Sequence, residues 1–307
     1  MSRIQQVLFE LTTAYVGHPY YVSGNAIVHA LGQRVPREVR EHLGSSHGVF
    51  VPGQMGRHPE IHSSSGVNLH LGRSLPDVVA YDDLFVHRHA EQAWLLDSGP
   101  REAFNTHDVQ PQARQPGLAQ EMALARPKEH RHEKQRRQWH IHANLHERDD
   151  ADVLPIAEEH LDGLQFGGKR NYGYGRTKLK ASQVVDLDAL DYSRLEEAED
   201  HRIELVTPFV LESTYPDADD HPVPWWWIEN REDLRVREEK LVEQREVFEL
   251  VAVDHGQVIG YNGDRPVETA KNGLFGVGSH SRYGFGEIRV KLEPNPHSTS
   301  GDCTAFE

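Results

Sequence analysis

Lys169, Arg170, Arg176, Lys178 and Lys180 lie within FGGKRNYGYGRTKLK, residues 166–180, a stretch without Asp or Glu. It also carries Gly167, Gly168, Gly173 and Gly175, and the rings of Tyr172 and Tyr174. Glycine admits positive φ and lets backbone N–H groups approach a ligand closely. Successive N–H groups in such a turn form a concavity suited to an anion. Tyrosine faces stack on unpaired bases. Together these residue types suit single-stranded RNA, with its phosphodiester backbone and open bases. A dinucleotide fingerprint needs a strand before its glycines and a helix after, the reverse of the order read here. A P-loop needs Gly-Lys-Ser/Thr, which is absent.

The stretch has an echo. Tyr172-Gly173-Tyr174-Gly175 matches Tyr283-Gly284-Phe285-Gly286, and Lys180 matches Lys291. Upstream, Gly276 and Gly278 hold places similar to Gly167 and Gly168 with one residue of slippage, and His280 and Arg282 add polar and cationic groups. One copy reads as an exposed basic turn; two copies so far apart suit a duplicated domain rather than a solenoid. A second chemistry comes from histidine. His140, His142 and His146 share one face of QWHIHANLH, opposite Trp139, Ile141, Ala143 and Leu145. HxH on a strand is used by metal-dependent hydrolases, so a His-dependent metallohydrolase is an alternative of another class. HExxH is absent and no acidic partner has diagnostic spacing, so that face is expected to be solvated or to touch RNA. No metal and no cofactor is indicated.

The elements that must carry these groups follow from periodicity. Strands are expected over Ile4–Thr13, Gln138–His146, Tyr174–Gln183, His201–Leu211, Phe248–Val253, Gln257–Tyr261 and Glu287–Leu292. Helices are expected over Ser23–Leu31, Arg37–Leu43, Asp152–Leu164, Glu229–Arg245 and Glu268–Phe275. Residues 44–78 read as loops with short strands, and 97–138 as irregular or helical, with a basic run at Arg126–Arg137 that could follow a phosphate backbone. Trp225, Trp226 and Trp227 could stack bases, and read first as core or as a subunit contact. The order predicts an α+β chain of two ferredoxin-like (RRM-like, β-α-β-β-α-β) domains in tandem. Their expected limits are 1–185 and 201–293, with an acidic linker at 186–200 and a disordered tail at 294–307. The formal net charge of -15, with Arg favoured over Lys, has the make-up of proteins adapted to high salt, so it does not exclude a nucleic-acid ligand. Cys303 is the only cysteine, so no intrachain disulfide forms. No membrane span or signal peptide is read, and a cytoplasmic location is expected.

GGKRNYGYGR and GVGSHSRYGFG resemble the glycine-rich loops of the RAMP superfamily, the RNA-binding proteins of CRISPR systems. The resemblance covers the two loops and the overall layout, and does not extend to residues 50–125. It implies ferredoxin-like domains, CRISPR RNA as ligand and other CRISPR effector subunits as partners. Two kinds of member fit. One is the repeat-processing endoribonuclease, which YYVSGNAIVHALGQRVPREVREHLGSSHGVF also resembles. That likeness implies metal-free attack of a ribose 2′-OH on the adjacent phosphate, with His47 and then His42 as candidate base or acid. Tyr21 would orient or donate, and Arg40 would offset developing charge. The other is the non-catalytic subunit that grips the 5′ end of guide RNA. A glycine loop closing the first half favours that kind, as does the absence of Lys before Lys128.

Overall fold

The computed structural model describes residues 2–18, 21–52, 74–88, 101–105, 120–124, 139–149, 151–215, 224, 226–227, 234–243, 246–278 and 280–292. The Arg126–Arg137 run, Tyr20, Trp225 and the expected tail lie outside these. The chain is a mixed α+β protein with antiparallel sheets and few helices.

The first half opens with β1 (Arg3–Leu11), β2 (Tyr15–Gly17) and β3 (Tyr21–Val22). Two helices follow, α1 (Gly24–Gly32) and α2 (Arg37–His42). Ser23 caps α1 by accepting from the Ala26 N–H. Then come β4 (Leu43–Ser45), β5 (Gly48–Pro52), β6 (Arg101–Asn105), β7 (Gln120–Leu124) and β8 (Trp139–Glu147). The half ends with α3 (Glu158–Leu161) and β9 (Thr177–Asp186). β1 lies between β8 and β9, and the sheet runs β3-β5-β8-β1-β9 with β4 also on β8. One face buries Val7, Phe9, Ile141, Ala143 and Leu145 against Ile27 and Leu31 of α1 and against Leu161 and Phe166. Two expectations fail here. The helix foreseen over Asp152–Leu164 is the single turn of α3, and 120–124 pairs as a strand with β2 on one side and 101–105 on the other rather than forming helix or irregular chain.

Beyond the single turn α4 (Ser193–Glu196), the second half contains β10 (His201–Leu205), β11 (Phe209–Ser213), β12 (Val236–Glu243), β13 (Glu246–Val253), β14 (Val258–Gly260), α5 (Pro266–Leu274) and β15 (Ile288–Leu292). It forms two sheets, β14-β10-β15 and β11-β13-β12. Val236–Glu243, expected as part of a charged helix, is a strand paired with β13 along its whole length. Its residues alternate: Leu241 is buried at 2% exposure, and Val242 beside it is 52% exposed. Cross-strand pairing overrides the helix preference of its Glu and Lys residues. The expected strand His201–Leu211 breaks in two at Val206–Pro208.

The halves share a strand register. β1 meets β9 at Leu11↔Thr177, and β10 meets β15 at the matching pair Leu205↔Ile288. They are joined by a core of Ile4, Tyr81, Leu84, Phe85, Leu187, Tyr192, Leu195, Leu274 and Val290, so residues inside 186–200 are packed.

Candidate nucleic-acid interface

The two glycine loops share one backbone design. Phe166 N–H donates to Gly175 O at 2.9 Å, and Val277 N–H to Gly286 O at 2.8 Å. Each loop then makes one tight turn, with Gly173 N–H on Arg170 O at 2.9 Å and Gly284 N–H on Ser281 O at 3.0 Å. Each is anchored to the segment after the first strand of its half, Gly175 N–H on Ala14 O and Gly286 N–H on Pro208 O. Gly167, Gly173 and Gly175 take φ of 81°, 84° and 70°; Gly278, Gly284 and Gly286 take 101°, 90° and 73°. Gly167 therefore corresponds to Gly278, and the slippage read from sequence disappears. Gly276, with φ of 83°, lies outside the matched set.

Their surroundings differ. In the first loop Lys169, Arg170 and Arg176 are exposed, and Tyr172 stands 83% exposed. Lys169 itself sits at φ 53°, in the left-handed region. Tyr174 is half-buried, its carbonyl held by the Gln165 side chain at 2.7 Å. The N–H groups of Gly168, Tyr172, Gly173, Gly175 and Arg176 all donate within the protein. The glycines therefore shape the turn, and the face it offers is one of cationic side chains and a phenol ring. Lys178 and Lys180 continue that exposed basic face along β9.

In the second loop His280, Tyr283 and Phe285 are buried, at 3%, 7% and 4% exposure. A Cβ on Gly284 would strike His47 and the Ser46 carbonyl carbon, and one on Gly24 would strike the Tyr283 carbonyl. Arg282 donates to Arg40 O at 2.7 Å and to Leu43 O at 3.3 Å. The Tyr283 hydroxyl donates to Glu243 at 3.2 Å. This loop is a clasp between the halves. Gly24 is the contact that sequence reading missed, because nothing local marks a glycine at a helix start as the seat of a distant backbone.

The histidine candidates separate. His47 is 1% exposed. Its Nδ1 accepts from Gly24 N–H at 3.0 Å, which puts its proton on Nε2. Its ring stacks on Tyr21 at 4.3 Å and meets Phe285 edge-on at 4.8 Å. Burial above all, then His18 and Arg88, keeps it neutral well below the ordinary histidine range. The Tyr21 hydroxyl donates to Glu239 at 2.8 Å, and burial, reinforced by Glu239, pushes its pKa well up. His42 sits elsewhere, at the end of α2, 3.5 Å from Asp149. The structure thus brings His47 and Tyr21 together, beneath the second loop.

The HIHANLH face is a correction. His140, His142, Asn144 and His146 are buried at 3% exposure or less, not solvated. His87 lies 5.3 Å from His142 ring to ring, and Phe275 meets His146 edge-on at 5.8 Å. Burial lowers the pKa of His140 and of His146 to about 4, and holds that of His142 well below the ordinary histidine range. Among the described residues no group of three or more His, Cys, Asp or Glu side chains is arranged to hold a metal. Trp227 is core, edge-on to Phe209 at 5.4 Å. Among the described residues no helix is long and apolar enough to cross a membrane.

No family model matches the chain, and no curated protein matches it. Among solved structures, it is similar to a chain of the Type III-B Cmr-beta complex, solved by cryo-electron microscopy bound to cognate target RNA. The TM-score is 0.30 at 11% identity, covering 84% of this chain and 86% of that one. A likeness at that level does not define a shared fold.

Proposed function

We propose that this chain is a CRISPR-associated RNA-binding protein of the RAMP type, derived from two ferredoxin-like halves, that grips guide RNA without cutting it and works beside other effector subunits. The carrying observation is the first glycine loop: Tyr172 at 83% exposure among exposed Lys169, Arg170 and Arg176. A free aromatic face takes a base by stacking, and the cations take the phosphates on either side. The order β9-β1-β8-β5 and the shared register of the halves support the ferredoxin-like derivation.

A non-catalytic role is favoured by His47. A general base must reach the proton it removes. His47 lies under Gly284, with Nδ1 already engaged and its ring covered by Tyr21.

The test is anisotropy with a labelled single-stranded repeat RNA, followed by incubation in EDTA. Wild type is expected to bind and leave the RNA intact. Tyr172→Ala is expected to weaken binding roughly tenfold, from the 1–3 kcal/mol of one base stack, with the thermal midpoint unchanged. Cleavage that survives EDTA and vanishes in His47→Ala would restore the nuclease reading. A wild type that binds no RNA would end both.

A further inference from the structure

In the register that matches the two glycine loops, Gln165 of the first corresponds to Gly276 of the second. Each stands just before the residue whose N–H closes the loop base, Phe166 and Val277. The two positions are filled differently. At Gly276 the second loop closes directly on its own start, so that a Cβ there would strike the Phe285 carbonyl and the Cβ of Ser281. At Gln165 a side chain occupies the corresponding space. Its Nε2 donates to Tyr174 O at 2.7 Å and to Arg170 O at 2.8 Å. Tyr174 and Arg170 are the counterparts of Phe285 and Ser281. A primary amide carries two N–H donors, and both are used here. Turned over, the amide would set its oxygen against two carbonyls, so its orientation is fixed.

The difference follows from what surrounds each tip. The second tip is held by packing, with His280, Tyr283 and Phe285 buried. Residues 169–172 of the first are exposed, and a Cβ at Gly173 would meet nothing within 4 Å. The base of the first loop is fastened by Gly168 N–H on Val16 O and Gly175 N–H on Ala14 O. Above that base, the turn that carries Tyr172 has the short-range bonds of Tyr172 N–H to Lys169 O and Gly173 N–H to Arg170 O. The Gln165 amide spans the same turn, tying its first residues to its last.

We propose that Gln165 is a positioning residue for RNA recognition, holding the exposed turn in the one shape that presents the Tyr172 ring to a base. The proposal rests on the RNA-binding reading above and names what keeps its stacking platform in place. A turn already held in its bound shape loses little freedom when the base arrives, whereas a loose turn must be ordered at that moment, at a cost in affinity. Gln165 itself touches neither base nor phosphate; it acts through Tyr172.

The test is a double-mutant cycle read by anisotropy with labelled oligouridylate, on wild type, Gln165→Met, Tyr172→Ala and the double variant. Methionine keeps the length of the side chain and removes both donors. Gln165→Met is expected to weaken binding about two- to tenfold. Once Tyr172 is alanine, the same substitution is expected to change affinity by less than about twofold. A loss of folded protein would instead weaken binding by the same factor in both backgrounds and lower the thermal midpoint, which is measured for each variant. Equal losses in the two backgrounds, or no loss from Gln165→Met while Tyr172→Ala still weakens binding, would overturn the positioning role and leave the RNA-binding reading standing. Absence of binding by the wild type would overturn both.

Discussion

Gly173 and Gly175 look alike in YGYG, yet they answer to different constraints. Both need the left-handed region, at φ of 84° and 70°. A Cβ at Gly173 meets nothing within 4 Å, whereas one at Gly175 would drive into the Phe166 carbonyl. Gly173→Ala should therefore cost only the left-handed strain, about 1–2 kcal/mol. Gly175→Ala carries the same strain plus a backbone collision that cannot relax without opening the Phe166–Gly175 hydrogen bond. Thermal melts of the two variants should show the second clearly less stable; equal midpoints would mean the loop backbone yields. Positive φ was legible in the sequence, because glycines between aromatic and basic residues mark a turn. Which glycine faces a carbonyl was not, since that depends on how Phe166 folds back onto Gly175 and on Ala14 and Thr13, which reach the loop from the segment after β1. The same limit governs His47. Its residue type advertised acid–base chemistry, while its burial depends on Gly24, Tyr21 and Phe285, none of them its sequence neighbours.

Between elements, the second glycine loop has become internal. The repeat of the motif was legible in the sequence, and β1 with β9 and β10 with β15 pair at matching positions beside its two copies. The division of labour was not legible, because exposure depends on what packs outside the motif. The strand β12 shows the same limit: VREEKLVE has helix-forming residues, and only its pairing with β13 decides its state. Next to the clasp, Arg88 and Glu287 form an ion pair with side chains 0% and 2% exposed, and Arg88 also donates to His47 O at 2.9 Å. This pair links the segment after Phe85 to the entry of β15. Removing one partner of such a pair leaves a buried charge and costs about 3–5 kcal/mol. Arg88→Met alone should lose stability on that scale in a denaturant titration, and Arg88→Met with Glu287→Leu should recover much of it. A double variant no better than the single would show that the geometry of the pair, not its charge, holds the junction.

At the scale of the whole molecule, the buried histidines set a lower pH limit for the fold. His47, His140, His142 and His146 are neutral when folded, burial being the main cause in each, with pKa of about 4 for His140 and His146. Unfolded, each returns to about 6.5. The unfolded chain therefore binds more protons below pH 6.5, and stability falls as pH drops from there toward 4. For His146, 2% exposed, the shift corresponds to roughly 3 kcal/mol lost by pH 4, at about 1.4 kcal/mol per unit. The overall charge works the other way, since acid relieves the self-repulsion of a chain at -15. The two effects separate on substitution. His146→Phe removes the proton site, and a ring there keeps the edge contact with Phe275. Guanidinium titrations across this range should show wild-type stability falling below pH 6.5 and the variant falling less steeply. If the two profiles ran parallel between pH 6.5 and 4.5, His146 would be solvated after all, and its face of β8 open to the RNA it was first expected to touch.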